Sequence, residues 1–136
     1  MDKKKQIVDE WIKKAEQDLG MAKLAIEHQP DFRDSICFHC QQAAEKYLKA
    51  YLVFLDIIFK KTHSLNYLLD LISEQESVSD DLYSTAEILG DYGVEVRYPG
   101  YSEPTEKDLE EAYQAAINIK KAIIEKMRDI QNIHSK

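Results

Sequence analysis

The stretch FRDSICFHCQQAAEKYLKAYLVFL, Phe32–Leu55, decides the fold. Ile36, Cys40, Ala43, Tyr47, Tyr51 and Leu55 form one stripe at helical spacing, and Phe38, Ala44, Leu48, Leu52, Val53 and Phe54 widen it. A helix that is apolar on more than one side is covered by several neighbours or by a partner chain, so this one is expected at the centre of the molecule. Asp31 or Asp34 is expected to cap its start.

Working outward, a first helix is expected from about Lys5 to His28, because Val8, Trp11, Ala15, Leu19, Ala22 and Ile26 step by three or four. Gln29-Pro30-Asp31 ends it. Phe59–His63 reads as a short polar linker, and Thr62 or Ser64 can cap a third helix from Leu65 to about Gln75. Leu82–Leu89 reads as a short fourth helix capped by Ser79 or Asp80, and Gly90–Thr105 as an irregular stretch punctuated by Gly93, Pro99, Gly100 and Pro104. Thr105-Glu106-Lys107-Asp108 is a capping box before an apolar run, Leu109, Ala112, Ala116, Ile119, Ile123, Met127 and Ile130, which carries the last helix to the C-terminus. No convincing strand, repeat or internal boundary is present. The expected architecture is all-α: an antiparallel up-and-down bundle of three long helices and one or two short ones, in a single domain over residues 1–136.

Composition agrees with that class. A chain of 136 residues is long enough to bury a core without metal or disulfide staples. Its 44% hydrophobic and 32% charged residues exclude a disordered chain, and its four Gly and three Pro argue against a many-turned β fold. No apolar span is long enough to cross a membrane. Met1-Asp2-Lys3-Lys4-Lys5 resembles the start of an export signal, but Asp9, Glu10, Lys13 and Lys14 stand where its apolar core belongs. A cytoplasmic location and reduced thiols are the expectation.

The net charge of −7 is unevenly placed. Residues 1–68 carry 11 basic and 10 acidic residues, whereas residues 69–136 carry 7 and 15. The overall field does not steer the chain toward nucleic acid, so nucleotide or RNA binding requires a local site.

Four features could carry chemistry. Cys37-Phe38-His39-Cys40 contains C-x-x-C, but no second cysteine pair completes a zinc site and no strand–helix unit supports a redox motif, so small reduced core residues is the reading. No metal and no cofactor are expected. Gln41, Gln42, Glu45, Lys46 and Lys49 form a polar set in which Glu45 and Lys49 are spaced for an ion pair. On composition that set is a solvated face, yet a central helix would half-bury it and require partners. His63, before the third helix, is a ligand, an acid/base or a residue that orders the turn. Arg97 stands among 13 acidic residues in positions 70–111, with Lys107 as the other base there. It is paired with those acids, or it binds phosphate while Tyr92, Tyr98 or Tyr101 stacks on a base.

Together these features resemble the HEPN domain family. Trp11-Ile12-Lys13-Lys14-Ala15-Glu16-Gln17-Asp18-Leu19 is similar to its opening helix, and Cys40-Gln41-Gln42-Ala43-Ala44-Glu45-Lys46-Tyr47-Leu48-Lys49-Ala50 to its central one. Thr62-His63-Ser64-Leu65 with Leu68-Leu69, and Arg97-Tyr98-Pro99, resemble two further segments in the right order. The resemblance implies an up-and-down bundle that dimerises, with its site near the dimer groove. It also implies a nucleotidyltransferase partner in a toxin–antitoxin-like pair, nucleotide binding, or metal-independent RNA cleavage by an R-x(4–6)-H motif. The chain departs from that motif: Ser102, Glu103 and Pro104 occupy the positions of its His. Arginine is always protonated and makes a poor base, so Arg97 supplies charge stabilisation but not proton transfer.

Three readings follow. The first is a non-catalytic homodimeric HEPN module binding a nucleotide, RNA or a nucleotidyltransferase partner, with Arg97, Tyr98, Tyr101, His63 and Lys49 as binding residues. The second is a ribonuclease with an altered site, Arg97 and His63 being its catalytic candidates. The third is a structural protein whose acidic patch docks a basic surface.

Overall fold

The structure is a computed structural model that describes residues 2–93 and 100–134. Its helices are α1 (Lys3–His28), α2 (Arg33–Phe54), α3 (Leu65–Ser73), α4 (Asp80–Leu89) and α5 (Glu106–His134), with one 3-10 turn at Gly90–Tyr92. Among the described residues there is no strand, and the three long and two short helices match the expected architecture.

Local chemistry sets most of the boundaries. Asp2 accepts from the Lys4 amide at 2.9 Å, so α1 starts two residues before the apolar stripe suggests. Ser64 and Ser79 cap α3 and α4 through the amides of Tyr67 and Leu82. At α5 the capping box closes in both directions: the Thr105 amide donates to Asp108 at 2.9 Å and the Asp108 amide to Thr105 Oγ1 at 3.0 Å. The expected cap of α2 is absent. Phe32 holds the cap position without a side-chain bond, because Asp34 lies inside the first turn. There its charge still faces the positive end of the helix.

α2 ends in a Schellman motif built on an aspartate. The Ile57 amide reaches Leu52 O at 2.9 Å and the Asp56 amide reaches Val53 O at 3.0 Å, with Asp56 at φ 61°. The chain then runs back along the bundle to α3, and Phe59 leaves the expected polar linker to pack edge-on against Trp11, ring centroids 6.4 Å apart.

α2 is the central helix. α1 runs antiparallel to it, which brings Lys4 to Phe54, Trp11 to Lys49 and Asp18 to His39 and Lys46. α5 and α3 cover other sides, and α4 bridges α3 and α5. Ile36, Tyr47, Leu48, Tyr51 and Leu52 are fully enclosed against Leu68, Leu69, Leu89, Ile119 and Ile123. The broad apolar surface of α2, which in sequence suggests a partner chain, is therefore covered within one protomer.

Candidate functional site

α2 carries a row of polar side chains, Gln41, Gln42, Glu45 and Lys49, all buried. Glu45 is spaced three or four residues from each of the others along the helix, so one edge of it is lined with hydrogen-bonding groups. Buried polar groups are costly unless paired, and each of these is paired.

Glu45 is the hub. Its Oε2 accepts from Lys49 Nζ at 2.9 Å and its Oε1 lies 2.7 Å from His63 Nδ1. The Glu45 and Lys49 side chains are 3% and 8% exposed, whereas the His63 side chain is 64% exposed. Lys49 also donates to Thr62 O at 3.0 Å and sits 5.4 Å from the Trp11 ring centroid and 5.9 Å from that of Phe59. Gln42 donates to Gln41 Oε1 at 2.8 Å, and Gln41 donates to His63 O at 2.9 Å. Three side chains of α2 thus hold the Thr62–His63 segment by two carbonyls and one ring nitrogen, with the rest of the imidazole in solvent.

Gly93 borders this assembly. A Cβ placed there would lie 3.6 Å from Gln41 Nε2 and 3.8 Å from His63 Cβ. Arg97 and Tyr98 lie outside the described residues. Tyr101, on the far side of that segment in sequence, is exposed and lines a groove with Asp91, Tyr92, Glu103, Pro104 and Asp108. That groove includes none of Glu45, Lys49 and His63. The structure therefore joins His63 to Lys49 through Glu45 and gives Tyr101 different surroundings. Lys49 stands behind His63 with its ammonium committed.

A second polar cluster lies between α1 and α2. Asp18 takes His39 Nδ1 at 2.9 Å and the Lys46 ammonium on its other oxygen. Burial pushes the Asp18 carboxyl up, but the hydrogen bonds and charges of His39 and Lys46 outweigh it and hold the group below its usual range. Lys46, in the same polar set of the sequence, thus belongs to a different cluster. The two thiols are inert: burial, with the nearby charges of Asp108 and Asp34, pushes Cys37 up to about 12, and burial pushes Cys40 up to about 12. Among the described residues no group of His, Cys, Asp and Glu is arranged to hold a metal ion, and no helix is long and apolar enough to cross a membrane.

Sequence reasoning names Glu45 but does not single it out as the hub, nor Trp11 and Phe59 as the rings around Lys49. The signal available is the polar row at 41, 42, 45 and 49 on a helix apolar on both flanks.

A five-helix bundle around one central helix, with a buried polar row presenting a histidine, defines a small all-α domain class. The chain belongs to the HEPN domain family, whose pattern matches residues 8–127. It is 30% identical over 131 residues to a candidate toxin of Methanocaldococcus jannaschii, covering 83% of each chain. An archaeal HEPN homologue of known crystal structure is 30% identical with a TM-score of 0.72, over 88% of this chain and 97% of that one. A Thermus thermophilus protein is 28% identical with a TM-score of 0.75, over 88% and 97%. A HEPN domain protein of Thermotoga maritima is 26% identical with a TM-score of 0.65, over 90% and 98%.

Proposed function

We propose that the chain is a non-catalytic HEPN module of a toxin–antitoxin-like pair, which binds a nucleotide or RNA at the surface presenting His63. The carrying observation is the buried Glu45–Lys49 pair behind an exposed imidazole. Desolvating two charges costs several kcal/mol, and apolar residues of similar volume serve a bundle as well or better. The pair gains a purpose if it holds His63 in place for a ligand.

Arg97 follows Gly93 by four residues, and in this reading it supplies the charge that holds phosphate. Tyr98 and Tyr101 offer rings for a base. Lys49 acts through Glu45 rather than on the ligand. The similarity to a candidate toxin supports a partner protein, and a nucleotidyltransferase is the partner the family resemblance implies. A homodimer is part of the reading. Exposed Met21, Leu24 and Phe32 offer apolar surface for it near the turn from α1 to α2.

The hydrogen bond from His63 to a buried carboxylate also favours one second reading, a ribonuclease with Arg97 and His63 as catalytic groups, since general bases are oriented in this way. RNA binding and metal-free cleavage measured on the purified protein, Arg97→Ala and His63→Ala separate the two. Binding that weakens in both variants without cleavage supports the module. Cleavage lost in both variants establishes the enzyme. Association that depends on salt alone, indifferent to both substitutions, leaves only an acidic docking protein.

A further inference from the structure

We propose that Glu45 is a positioning residue that fixes His63 as its Nδ1–H tautomer, so that Nε2 reads a ribose 2′-hydroxyl. The inference rests on the function proposed above and names the chemistry the site selects.

An ionised carboxylate only accepts hydrogen bonds. Glu45 has its Oε2 filled by the Lys49 ammonium, and its Oε1 stands 2.7 Å from His63 Nδ1. The hydrogen in that contact belongs to Nδ1. In neutral imidazole Nε2 is then an acceptor with no hydrogen of its own. It lies across the ring from Glu45, on a side chain that is 64% exposed.

The backbone that carries the ring is held at two successive carbonyls. Gln41 holds the His63 carbonyl at 2.9 Å, and Lys49 holds the preceding carbonyl at 3.0 Å. Lys49 is itself enclosed by Trp11 and Phe59. A site formed around a bare Nε2 lone pair selects a ligand that donates. Phosphate oxygens only accept, and a ring in that tautomer presents no hydrogen to them at Nε2. The ribose 2′-hydroxyl is the donor that separates ribonucleotides from deoxyribonucleotides.

Two measurements test this. Nitrogen-15 NMR of the histidine rings at pH 8 reports which nitrogen carries the hydrogen. The expected result is Nδ1 for His63 in the native chain, and loss of that preference in the double variant Glu45→Leu with Lys49→Met. That variant removes the ion pair without stranding either charge, so the bundle is retained. A hydrogen on Nε2 in the native chain overturns the positioning role.

The second measurement is anisotropy of single-stranded oligonucleotides of one sequence as RNA, DNA and 2′-fluoro RNA, with AMP and dAMP as free-nucleotide competitors. The 2′-fluoro strand keeps the RNA sugar shape without the donor. RNA is expected to bind about fivefold tighter than either, the scale of one hydrogen bond. The double variant is expected to lose that margin while keeping its affinity for DNA. An AMP-over-dAMP preference without an RNA preference assigns the same chemistry to a free nucleotide. Equal binding of all three strands and of both nucleotides overturns the inference and leaves the proposed function standing. Absence of all binding overturns both.

Discussion

Glu45→Ala is the most informative single change to this protein. It deletes the acceptor of a Lys49 ammonium whose side chain is 8% exposed, leaving that charge with Thr62 O and two aromatic rings. Removing one partner of a buried pair costs about 3–5 kcal/mol, because the remaining charge is stranded. Domains of this size have roughly 5–15 kcal/mol of stability, so the variant gives up a large part of its margin. With a urea slope of about 2 kcal/mol per molar, the unfolding midpoint drops by roughly 2 M. Replacing both partners, Glu45→Leu with Lys49→Met, strands no charge. That variant is expected to match the native midpoint or exceed it. Circular dichroism during urea titration reads all three proteins. A single variant within about 1 kcal/mol of native, or a double variant less stable than the single one, would refute the argument that this pair is desolvated and mutually dependent.

Other sites give independent checks. The Asp18 carboxyl is held low by His39 and Lys46, so its contribution is complete above the unfolded carboxyl range near pH 4 and is lost as pH falls through the lower folded value. The urea midpoint of the native chain should therefore fall on acidification below about pH 4, and Asp18→Asn should be less stable at neutral pH and flatter through that acid range. Thr105→Ala breaks the capping box of α5 and is expected to cost about 1 kcal/mol in thermal unfolding; no loss would mean that the box contributes nothing. Asp56 occupies a left-handed conformation that glycine adopts freely, and its side-chain pair with Lys4 is exposed. Asp56→Gly should leave stability unchanged or raise it by up to about 1 kcal/mol, and a clear loss would assign the Lys4 pair a larger role than exposed pairs usually have.

The fold was legible because its determinants are local and periodic. Stripes at helical spacing place the three long helices, and Ser64, Ser79 and Thr105 announce three of the starts. The bounds of α2 were legible to within a residue, Phe32–Leu55 against the observed Arg33–Phe54, but the chemistry that closes its two ends was not. The α2 start has no side-chain cap, and its end uses aspartate where glycine is the usual signal. The site was legible in part. His63 and Lys49 were identifiable as chemistry-bearing groups, but their connection runs through Glu45, whose i, i+4 relation to Lys49 is also that of an ordinary surface pair. Only the packing of Trp11 and Phe59 over Lys49 separates the buried case from the exposed one, and Phe59 lies ten residues beyond Lys49 in the chain. The division between Lys46 and Lys49 is equally non-local, because Asp18 on α1 takes the former. Arg97 and Tyr98 remain sequence candidates outside the described residues.

The most direct test of the account is to map binding on the unmodified protein. Amide chemical shifts of the nitrogen-15-labelled chain would be followed during titration with a short single-stranded RNA. The account predicts changes concentrated at Gln41, Glu45, Thr62, His63 and Gly93. Changes confined to the groove around Lys4, Lys5 and Arg128, or no change at all, would contradict it.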